Sequence, residues 1–157
     1  GIDVVNVKSA ADMAEAVAAR SEASDIVVMC SAVADYTPTH YSAQKVKKSD
    51  GELSIPLART TDILHTLGMK KKEGQMLVGF SMETENLIEN SRKKLSKKNA
   101  DIICANTIAD GGDTGFAVDT NQVTLITETE VITLPLCTKE ETADLILSHI
   151  VELQKEK

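Results

Sequence analysis

Residues 25–38 read DIVVMCSAVADYTP, an apolar run that leads to a lone aspartate and predicts a buried strand. A continuous apolar strand is typical of a central position in a parallel sheet that helices cover on both faces. In open α/β sheets, ligands bind beyond the carboxyl ends of the strands. Asp35 therefore lies where such a sheet would place a binding site, and the chain continues from it into the lysine-rich stretch QKVKK at 44–48.

The segments around this strand alternate short apolar runs with amphipathic stretches, which predicts parallel strands joined by crossover helices. Before it, IDVVNV at 2–7 predicts a strand, and residues 9–23 predict a helix capped by Ser9 and Asp12. The elements predicted after it are a helix at 60–74, a strand at 75–82, a helix at 84–100, a strand at 101–108, a loop at 109–121, antiparallel strands at 122–127 and 130–136, and a final helix at 138–157.

Two helices and one hairpin carry more detailed predictions. The final helix begins with a capping box formed by Thr138 and Glu141. The residues expected to face the core are Met13, Ala14, Val17 and Ala18 in the first helix, and Ala143, Ile146, Leu147 and Ile150 in the last. QKVKK at 44–48 and ELSIPLA at 52–58 flank the turn signal SDG, which predicts a two-stranded flap. In an extended flap Lys45 and Lys47 share a face, whereas Lys48 points the other way.

Together these elements predict one domain over residues 1–157. Its class is α/β, with a Rossmann-like, doubly wound, mostly parallel sheet, an antiparallel edge and a β-hairpin flap. A chain of 157 residues with 42% hydrophobic content is long enough to bury one core of this kind.

Composition and charge limit the possible partners. The formal net charge of -7 argues against a nucleic-acid surface. Basic residues cluster at 45–48, 70–72 and 92–98, and such clusters suit either a small anion or a solvated face. No apolar run approaches the roughly 20 residues that span a bilayer, so we expect no membrane partner. Three cysteines without a CxxC pair predict reduced, mostly buried thiols in a cytoplasmic protein, with neither disulfides nor a zinc site.

Polar side chains follow three predicted strands, at 31–35, 79–85 and 105–106. Lys94 and Lys98 lie four residues apart on a predicted helix, so their ammonium groups project from one side, either toward one polyphosphate or into solvent. The glycine-rich dinucleotide motif, the P-loop and the GxSxG motif do not occur, and the three histidines lack metal-ligand spacing. An enzyme of this composition would act by positioning its substrates and stabilising developing charge.

Seven segments in sequence order resemble the phosphopantothenoylcysteine synthetase family, and the resemblance covers nearly all of the chain. The segments are SAVADYTP, KVKK, TTDIL, GFSMETENL, KKLSKKNADIICAN, GFAVDTNQVTLI and LPLCTKEETADLIL. The resemblance implies a ligase of coenzyme A biosynthesis that activates 4′-phosphopantothenate with CTP, or alternatively ATP, to an acyl-nucleotide. The amine of L-cysteine then displaces the nucleotide. The resemblance further implies that Mg²⁺ accompanies the triphosphate and that the enzyme is a homodimer whose flap crosses between subunits.

The resemblance also implies roles for individual residues. Lys45 matches the family's catalytic lysine, which supports the acyl-nucleotide chemistry, and Asp35 matches an aspartate that contacts the nucleotide. The other matched nucleotide-binding positions are Met29, Cys30, Ser31, Thr61, Asp62, Ile63, Leu64 and Phe80, together with the phosphate-binding lysines Lys94 and Lys98. No side chain is implied as a metal ligand.

Two features differ from the family pattern. Thr61 stands where the family usually has proline, and the family's Gly-rich first strand-to-helix turn does not occur in these residues. We therefore expect the chain to be part of a longer enzyme. The alternatives from other classes are a non-catalytic nucleotide-binding or dimerisation module and an NAD(P)-dependent reductase on a similar sheet, and the missing glycine fingerprint disfavours the reductase.

Overall fold

The computed structural model describes residues 1–45, 54–107 and 119–155 of the chain. The helices of these residues are α1 (Ala10–Ser21), α2 (Ile63–Lys70), α3 (Leu87–Lys98) and α4 (Lys139–Lys155). The strands are β1 (Ile26–Met29), β2 (Tyr36–Pro38), β3 (Leu57–Arg59), β4 (Met76–Glu83), β5 (Ile102–Thr107), β6 (Thr120–Asn121), β7 (Val123–Ile126), β8 (Val131–Thr133) and β9 (Cys137–Thr138).

The central sheet has five strands in the order β1-β4-β5-β7-β8. The strands β1, β4 and β5 are parallel, whereas β7 runs antiparallel to β5 and β8 antiparallel to β7. The predicted class is therefore confirmed: a doubly wound, mostly parallel α/β sheet with an antiparallel edge.

Helices cover both faces of this sheet. Successive side chains of a strand point to opposite sides, so one strand can pack against helices on both faces. On one face, Val78 of β4 belongs to the same buried cluster as Ile146 of α4. On the other face, Leu77 packs with α2, and Ile103 of β5 packs with Leu95 of α3. The two cores fix the helices α2, α3 and α4 around the carboxyl ends of the parallel strands.

The predictions for the first two strands are partly wrong. Residues 2–7 form no strand, and β1 lies at the edge of the sheet instead of its centre. Val5 and Val7 line a cavity of about 300 Å³ together with residues of β1, so the segment lies beside β1 without pairing with it in the described structure. An apolar run predicts burial but supplies no hydrogen-bond partner, and a strand needs one.

Both predicted capping boxes are confirmed. In α1, the hydroxyl of Ser9 accepts from the backbone N–H of Asp12 at 3.1 Å, and the Asp12 carboxylate accepts from the Ser9 N–H at 3.0 Å. At the start of α4, the backbone N–H of Thr138 donates to Glu141 at 2.9 Å, and the N–H of Glu141 donates to the Thr138 hydroxyl at 3.2 Å. The predicted apolar face of α1 also packs on the core, except for Ala18, which is exposed.

The buried face of α4 differs in part from the predicted one. Ile146 and Ile150 are buried as predicted, but Ala143 and Leu147 are exposed, and Thr142 is buried instead. Residues four positions apart lie on one stripe of a helix, whereas the next residue along the chain is rotated by about 100°. The stripe 142, 146 and 150 therefore faces the core, and the predicted residues 143 and 147 lie beside it.

A small flap formed by β2 and β3 follows the carboxyl end of β1. Residues 46–53 of the predicted pairing between 44–48 and 52–58 lie outside the described residues. For Leu57 and Ala58 the prediction is wrong, because these residues pair with Pro38 and Thr37 of β2. The flap is attached to the chain after β1 by Thr60, whose N–H donates to the carbonyl of Asp35 at 2.9 Å and whose hydroxyl donates to the carbonyl of Ala34 at 2.6 Å. Among the helices that the structure describes, none has the length and apolar character to cross a membrane.

Candidate functional site

The larger of two adjoining cavities, with a volume of about 610 Å³, lies at the carboxyl ends of β1, β4 and β5 and beside the start of α4. Its polar lining includes Cys30, Asp35, Lys94, Asn106, Asn121 and Lys139. This position is the usual place for a ligand in an open α/β sheet. The strand-end pattern of the sequence indicated the same edge.

The smaller cavity, about 200 Å³, lies between the end of β1 and the helices α2 and α3. Residues that line both cavities are Ser31, Val33, Asp35, Phe80 and Lys94. The two cavities therefore share a wall, and we refer to them together as the strand-end cleft.

Eleven of the twelve site residues named from the sequence line this cleft: Met29, Cys30, Ser31, Asp35, Thr61, Asp62, Ile63, Leu64, Phe80, Lys94 and Lys98. The twelfth, Lys45, is exposed and lines neither cavity. Lys47 and Lys48 lie outside the described residues. The structure thus brings the predicted nucleotide positions together, while the role of each residue stays a prediction.

An ion pair with the last residue of β4 holds Lys94 at the shared wall. Its Nζ donates to Oε1 of Glu83 at 2.6 Å, and Nδ2 of Asn90 donates to Oε2 of the same carboxylate at 3.3 Å. The Glu83 side chain is only 12% exposed, compared with 44% for Lys94. The carboxylate is therefore the fixed partner, and its charge-assisted hydrogen bond orients the ammonium group.

Lys98 is paired with Asp62, which is the N-cap residue of α2. The Asp62 carboxylate also accepts from the backbone N–H of His65 at 3.0 Å. Burial raises the pKa of Asp62, but the hydrogen bonds from Lys98 and from His65 outweigh this effect, so the pKa lies below its ordinary value. Asp62 is thus ionised near neutral pH, and a phosphate that reaches Lys98 has to compete with it.

The Lys98–Asp62 pair depends on a close crossing of α2 and α3 at Gly68. A Cβ atom on Gly68 would overlap the backbone oxygen of Lys98, so a larger residue would push the helices apart. The side-chain amide of Asn99 donates to the carbonyl of Gly68 at 2.8 Å and closes the same crossing. Packing between α2 and α3 therefore sets the position of Lys98 in the cleft.

Two asparagines that line the larger cavity have a side-chain oxygen that accepts no hydrogen bond among the described residues. The Oδ1 atoms of Asn106 and Asn121 are buried and accept no hydrogen bond in the described structure. Leaving such a group unsatisfied costs about 1–3 kcal/mol, so a ligand N–H or O–H would be favourable there. The strand-end pattern indicated Asn106, whereas Asn121 was missed because its segment was interpreted as part of a loop.

Lys139 is a second residue of the cleft that the sequence did not indicate. It is the first residue of α4, follows β9 directly and lines the larger cavity. Because β9 pairs with β6, Lys139 reaches the cleft together with Asn121. Strands of two residues have no periodic pattern, so no signal in the sequence marks this pairing.

The carboxylate of Asp35 lines both cavities and takes part in none of the ion pairs formed by the described residues. The same part of the chain contains no cluster of three acidic, histidine or cysteine side chains that could hold a metal ion by itself. Mg²⁺ is commonly bound through one or two carboxylates together with substrate phosphates. Asp35 is therefore suited to a metal that arrives on a nucleotide.

The cysteines offer no activated nucleophile at the core of the sheet. Burial, and to a smaller extent the neighbouring Cys30, raises the pKa of Cys104 to about 12, so this thiol stays protonated. Cys30 is exposed and lines the larger cavity. The cysteines Cys30, Cys104 and Cys137 are all free thiols, but only Cys104 is buried, so the prediction of mostly buried thiols is wrong.

Fold and cleft together define a Rossmann-like α/β domain with a ligand site beyond the ends of its parallel strands, lined by lysines from α3 and α4. The chain belongs to the family described as DNA/pantothenate metabolism flavoprotein C-terminal domain, whose model matches residues 1–153. The resemblance identified from the sequence is thereby confirmed.

Individual relatives agree with this assignment. The Coenzyme A biosynthesis bifunctional protein CoaBC of Bacillus subtilis (strain 168) is 45% identical over 98% of this chain and 38% of its own length. A cysteine/cysteine sulfinic acid decarboxylase of an unknown prokaryotic organism is 42% identical over 97% of this chain and 42% of its own. The crystal structure of the C-terminal domain of a Coenzyme A biosynthesis bifunctional protein CoaBC is similar with a TM-score of 0.77 and 40% identity, over 98% of this chain and 66% of that one. The chain thus spans about two fifths of these curated relatives.

Proposed function

We propose that this domain is the phosphopantothenate–cysteine ligase of coenzyme A biosynthesis. The observation that carries the proposal is the gathering of Asp35, Lys94 and Lys98 in one cleft at the strand ends, in a chain 45% identical to a protein named for coenzyme A biosynthesis. Nucleotide-driven ligation needs cations and fixed polar groups around developing charge, and it needs no protein nucleophile. The cleft supplies groups of this kind.

The proposed reaction has two steps. A carboxylate oxygen of 4′-phosphopantothenate attacks the α-phosphorus of CTP, the bond to the bridging oxygen breaks, and pyrophosphate leaves. The nitrogen of L-cysteine then attacks the acyl carbon, CMP leaves with the bonding electrons of the acyl–oxygen bond, and the amine loses a proton. ATP in place of CTP would follow the same course.

Each group of cleft residues has a proposed part in binding the nucleotide. Lys94 and Lys98 hold its phosphates, and backbone groups of residues 29–31 contact the base or ribose. Residues 61–64 and Phe80 complete the nucleotide pocket, which agrees with their position in the lining. Mg²⁺ would accompany the triphosphate and neutralise part of its charge. Asp35, a carboxylate of the cleft without an ion pair among the described residues, contacts the nucleotide.

Lys45 is the proposed catalytic lysine, acting from the flap of a homodimer. Tyr36 of β2 and Leu57 of β3 are 51% and 56% exposed and are available for contact with a second subunit. A flap that crosses to a second subunit would bury them and carry Lys45 toward a cleft. Free cysteines agree with the cytoplasmic location proposed for the enzyme.

The test is a product assay with the full-length protein, CTP, Mg²⁺, 4′-phosphopantothenate and L-cysteine. We expect phosphopantothenoylcysteine by mass spectrometry and one pyrophosphate for each amide formed. Omitting cysteine should leave the acyl-cytidylate on the enzyme. Binding of CTP without any product would favour the non-catalytic module, and tighter binding of NADPH than of CTP would favour the reductase.

A further inference from the structure

The short ladder between β6 and β9 brings the side chains of Asn121 and Lys139 to the same face of the ladder. Asn121 lies opposite Cys137, and the backbone N–H of Lys139 continues the ladder by donating to the carbonyl of Asp119 at 2.9 Å. Directly opposed residues, and residues two apart along a strand, share one face of a ladder. Asn121 and Lys139 are therefore diagonal neighbours, and both line the larger cavity of the strand-end cleft.

Neither the ammonium group of Lys139 nor the side-chain oxygen of Asn121 has a partner among the described residues. Lys94 and Lys98 each have a carboxylate partner, whereas Lys139 takes part in no ion pair among the described residues. Asp119, whose carbonyl accepts from the Lys139 N–H, also forms no ion pair with Lys139. The buried Oδ1 of Asn121 likewise accepts no hydrogen bond in the described structure. The larger cavity is thus lined by a cation without an ion pair among the described residues and, next to it, by an asparagine whose acceptor has no donor.

We propose that this end of the cleft binds the amine substrate as an α-amino acid zwitterion. The ammonium of Lys139 binds the α-carboxylate, and Oδ1 of Asn121 accepts from the α-ammonium group, which has to lose one proton to solvent before its nitrogen attacks the acyl carbon. A phosphate would match Lys139 but would meet the acceptor oxygen of Asn121 unfavourably, whereas a zwitterion carries the complement of both. The proposal rests on the ligase function above, and it assigns the amino acid to the α4 side and the triphosphate to the side of α2 and α3.

Two amines that differ only in the carboxylate test this assignment. The full-length enzyme is assayed with L-cysteine and with cysteamine, which lacks the carboxylate, at saturating nucleotide and phosphopantothenate. Lys139→Gln should raise the KM for cysteine about tenfold, as expected for a lost charge-assisted hydrogen bond, and leave the KM for cysteamine unchanged. Asn121→Ala should raise the KM for both amines by a similar factor, because both carry the ammonium group.

A control variant and a half-reaction separate this inference from its alternatives. Lys155→Gln, at the exposed far end of α4, should change neither KM. Pyrophosphate release in a single turnover without any amine should be normal in Lys139→Gln, and circular dichroism should show an unchanged fold. An equal rise of the KM for both amines in Lys139→Gln, or slower pyrophosphate release, would overturn the inference. If the unmodified enzyme releases no pyrophosphate, the ligase function itself is wrong and the inference falls with it.

Discussion

The ammonium of Lys94 lies 2.6 Å from the carboxylate of Glu83, so the helix α3 is tied at the cleft to the end of the strand that precedes it. Four residues further along α3, Lys98 is paired with Asp62 at the start of α2. Both lysines are thus oriented before any ligand binds, which reduces the side-chain entropy lost on binding. The same carboxylates compete with an incoming phosphate for the two ammonium groups.

Removing one lysine of the pair should weaken nucleotide binding more than catalysis. For Lys94→Gln and Lys98→Gln we expect the KM for CTP to rise about tenfold each with kcat nearly unchanged, because the contacts exist in the ground state as well as in the transition state. Steady-state kinetics with varied CTP measure this. Lys93→Gln is the matched control, since Lys93 lies on the same helix and pairs with Glu89 in solvent. An unchanged KM in both variants would mean that these lysines serve their carboxylate partners and do not contact the nucleotide.

Removing the charge of Asp62 should strengthen nucleotide binding. An asparagine at this position can still accept from the His65 N–H as N-cap, but it no longer neutralises Lys98. We expect Asp62→Asn to lower the Kd for CTP about threefold, which corresponds to the free energy of a partly exposed ion pair. Isothermal titration calorimetry measures this Kd. Weaker binding instead would show that the Asp62 carboxylate contributes more to the nucleotide pocket than it costs by neutralising Lys98.

The same variant should change how stability depends on pH. The pKa of Asp62 is lowered in the folded state, so its ionised form stabilises the fold above the ordinary carboxyl pKa, and this contribution is lost as the pH falls through the lowered value. Thermal melts from neutral pH downward should therefore show a smaller loss of Tm in Asp62→Asn than in the unmodified protein. Equal losses would show that the ion pair contributes nothing to stability.

Lys45 should matter for turnover and hardly at all for folding. Its side chain is exposed, whereas the proposed chemistry places its ammonium against the negative charge of the pentavalent phosphorus and the departing pyrophosphate. A positioned donor of this kind is worth about 3–4 kcal/mol, so Lys45→Gln should reduce kcat by more than about a hundredfold with an unchanged Tm. Near-normal amide synthesis in this variant would remove Lys45 from the mechanism.

Asn106 should be more important for the ligand than for the fold. Its Oδ1 is buried without a donor, so Asn106→Ala removes an unsatisfied acceptor and should change the free energy of unfolding by less than about 1 kcal/mol. Binding of CTP or phosphopantothenate should nevertheless weaken about tenfold if the ligand supplies the missing donor. Urea titration and calorimetry on the same preparation measure both quantities. A large loss of stability with normal binding would contradict this role.

The crossing at Gly68 should be sensitive to a single methyl group. Because a Cβ atom there overlaps the backbone oxygen of Lys98, we expect Gly68→Ala to lower the free energy of unfolding by about 3 kcal/mol despite the better helix propensity of alanine. Urea titration measures the loss. Met69→Ala, at the exposed neighbouring position, is the control and should cost little. A stable Gly68→Ala protein would show that the helices can separate without strain.

Much of the fold could be predicted because its signals are local. The capping boxes at Ser9 and Thr138 involve residues three positions apart, and the β4–α3–β5 unit follows from apolar runs and a helical period within short windows. The strand predicted at 2–7 failed for the opposite reason. An apolar run shows that a segment can be buried, but only a neighbouring strand can satisfy its backbone, and β1 offers no pairing to that segment in the described structure.

The α/β class, the family and the edge of the sheet at which the polar residues collect follow from patterns in the sequence. Tertiary packing alone places Lys94 and Lys98 against carboxylates, and it brings Lys139 into the same cleft beside Asn121 without an ion pair among the described residues. Periodicity and capping depend on nearby residues, whereas the pairing of a charge depends on distances between elements far apart in the chain. Those distances are set by packing, at points such as the crossing at Gly68, and no local pattern encodes them.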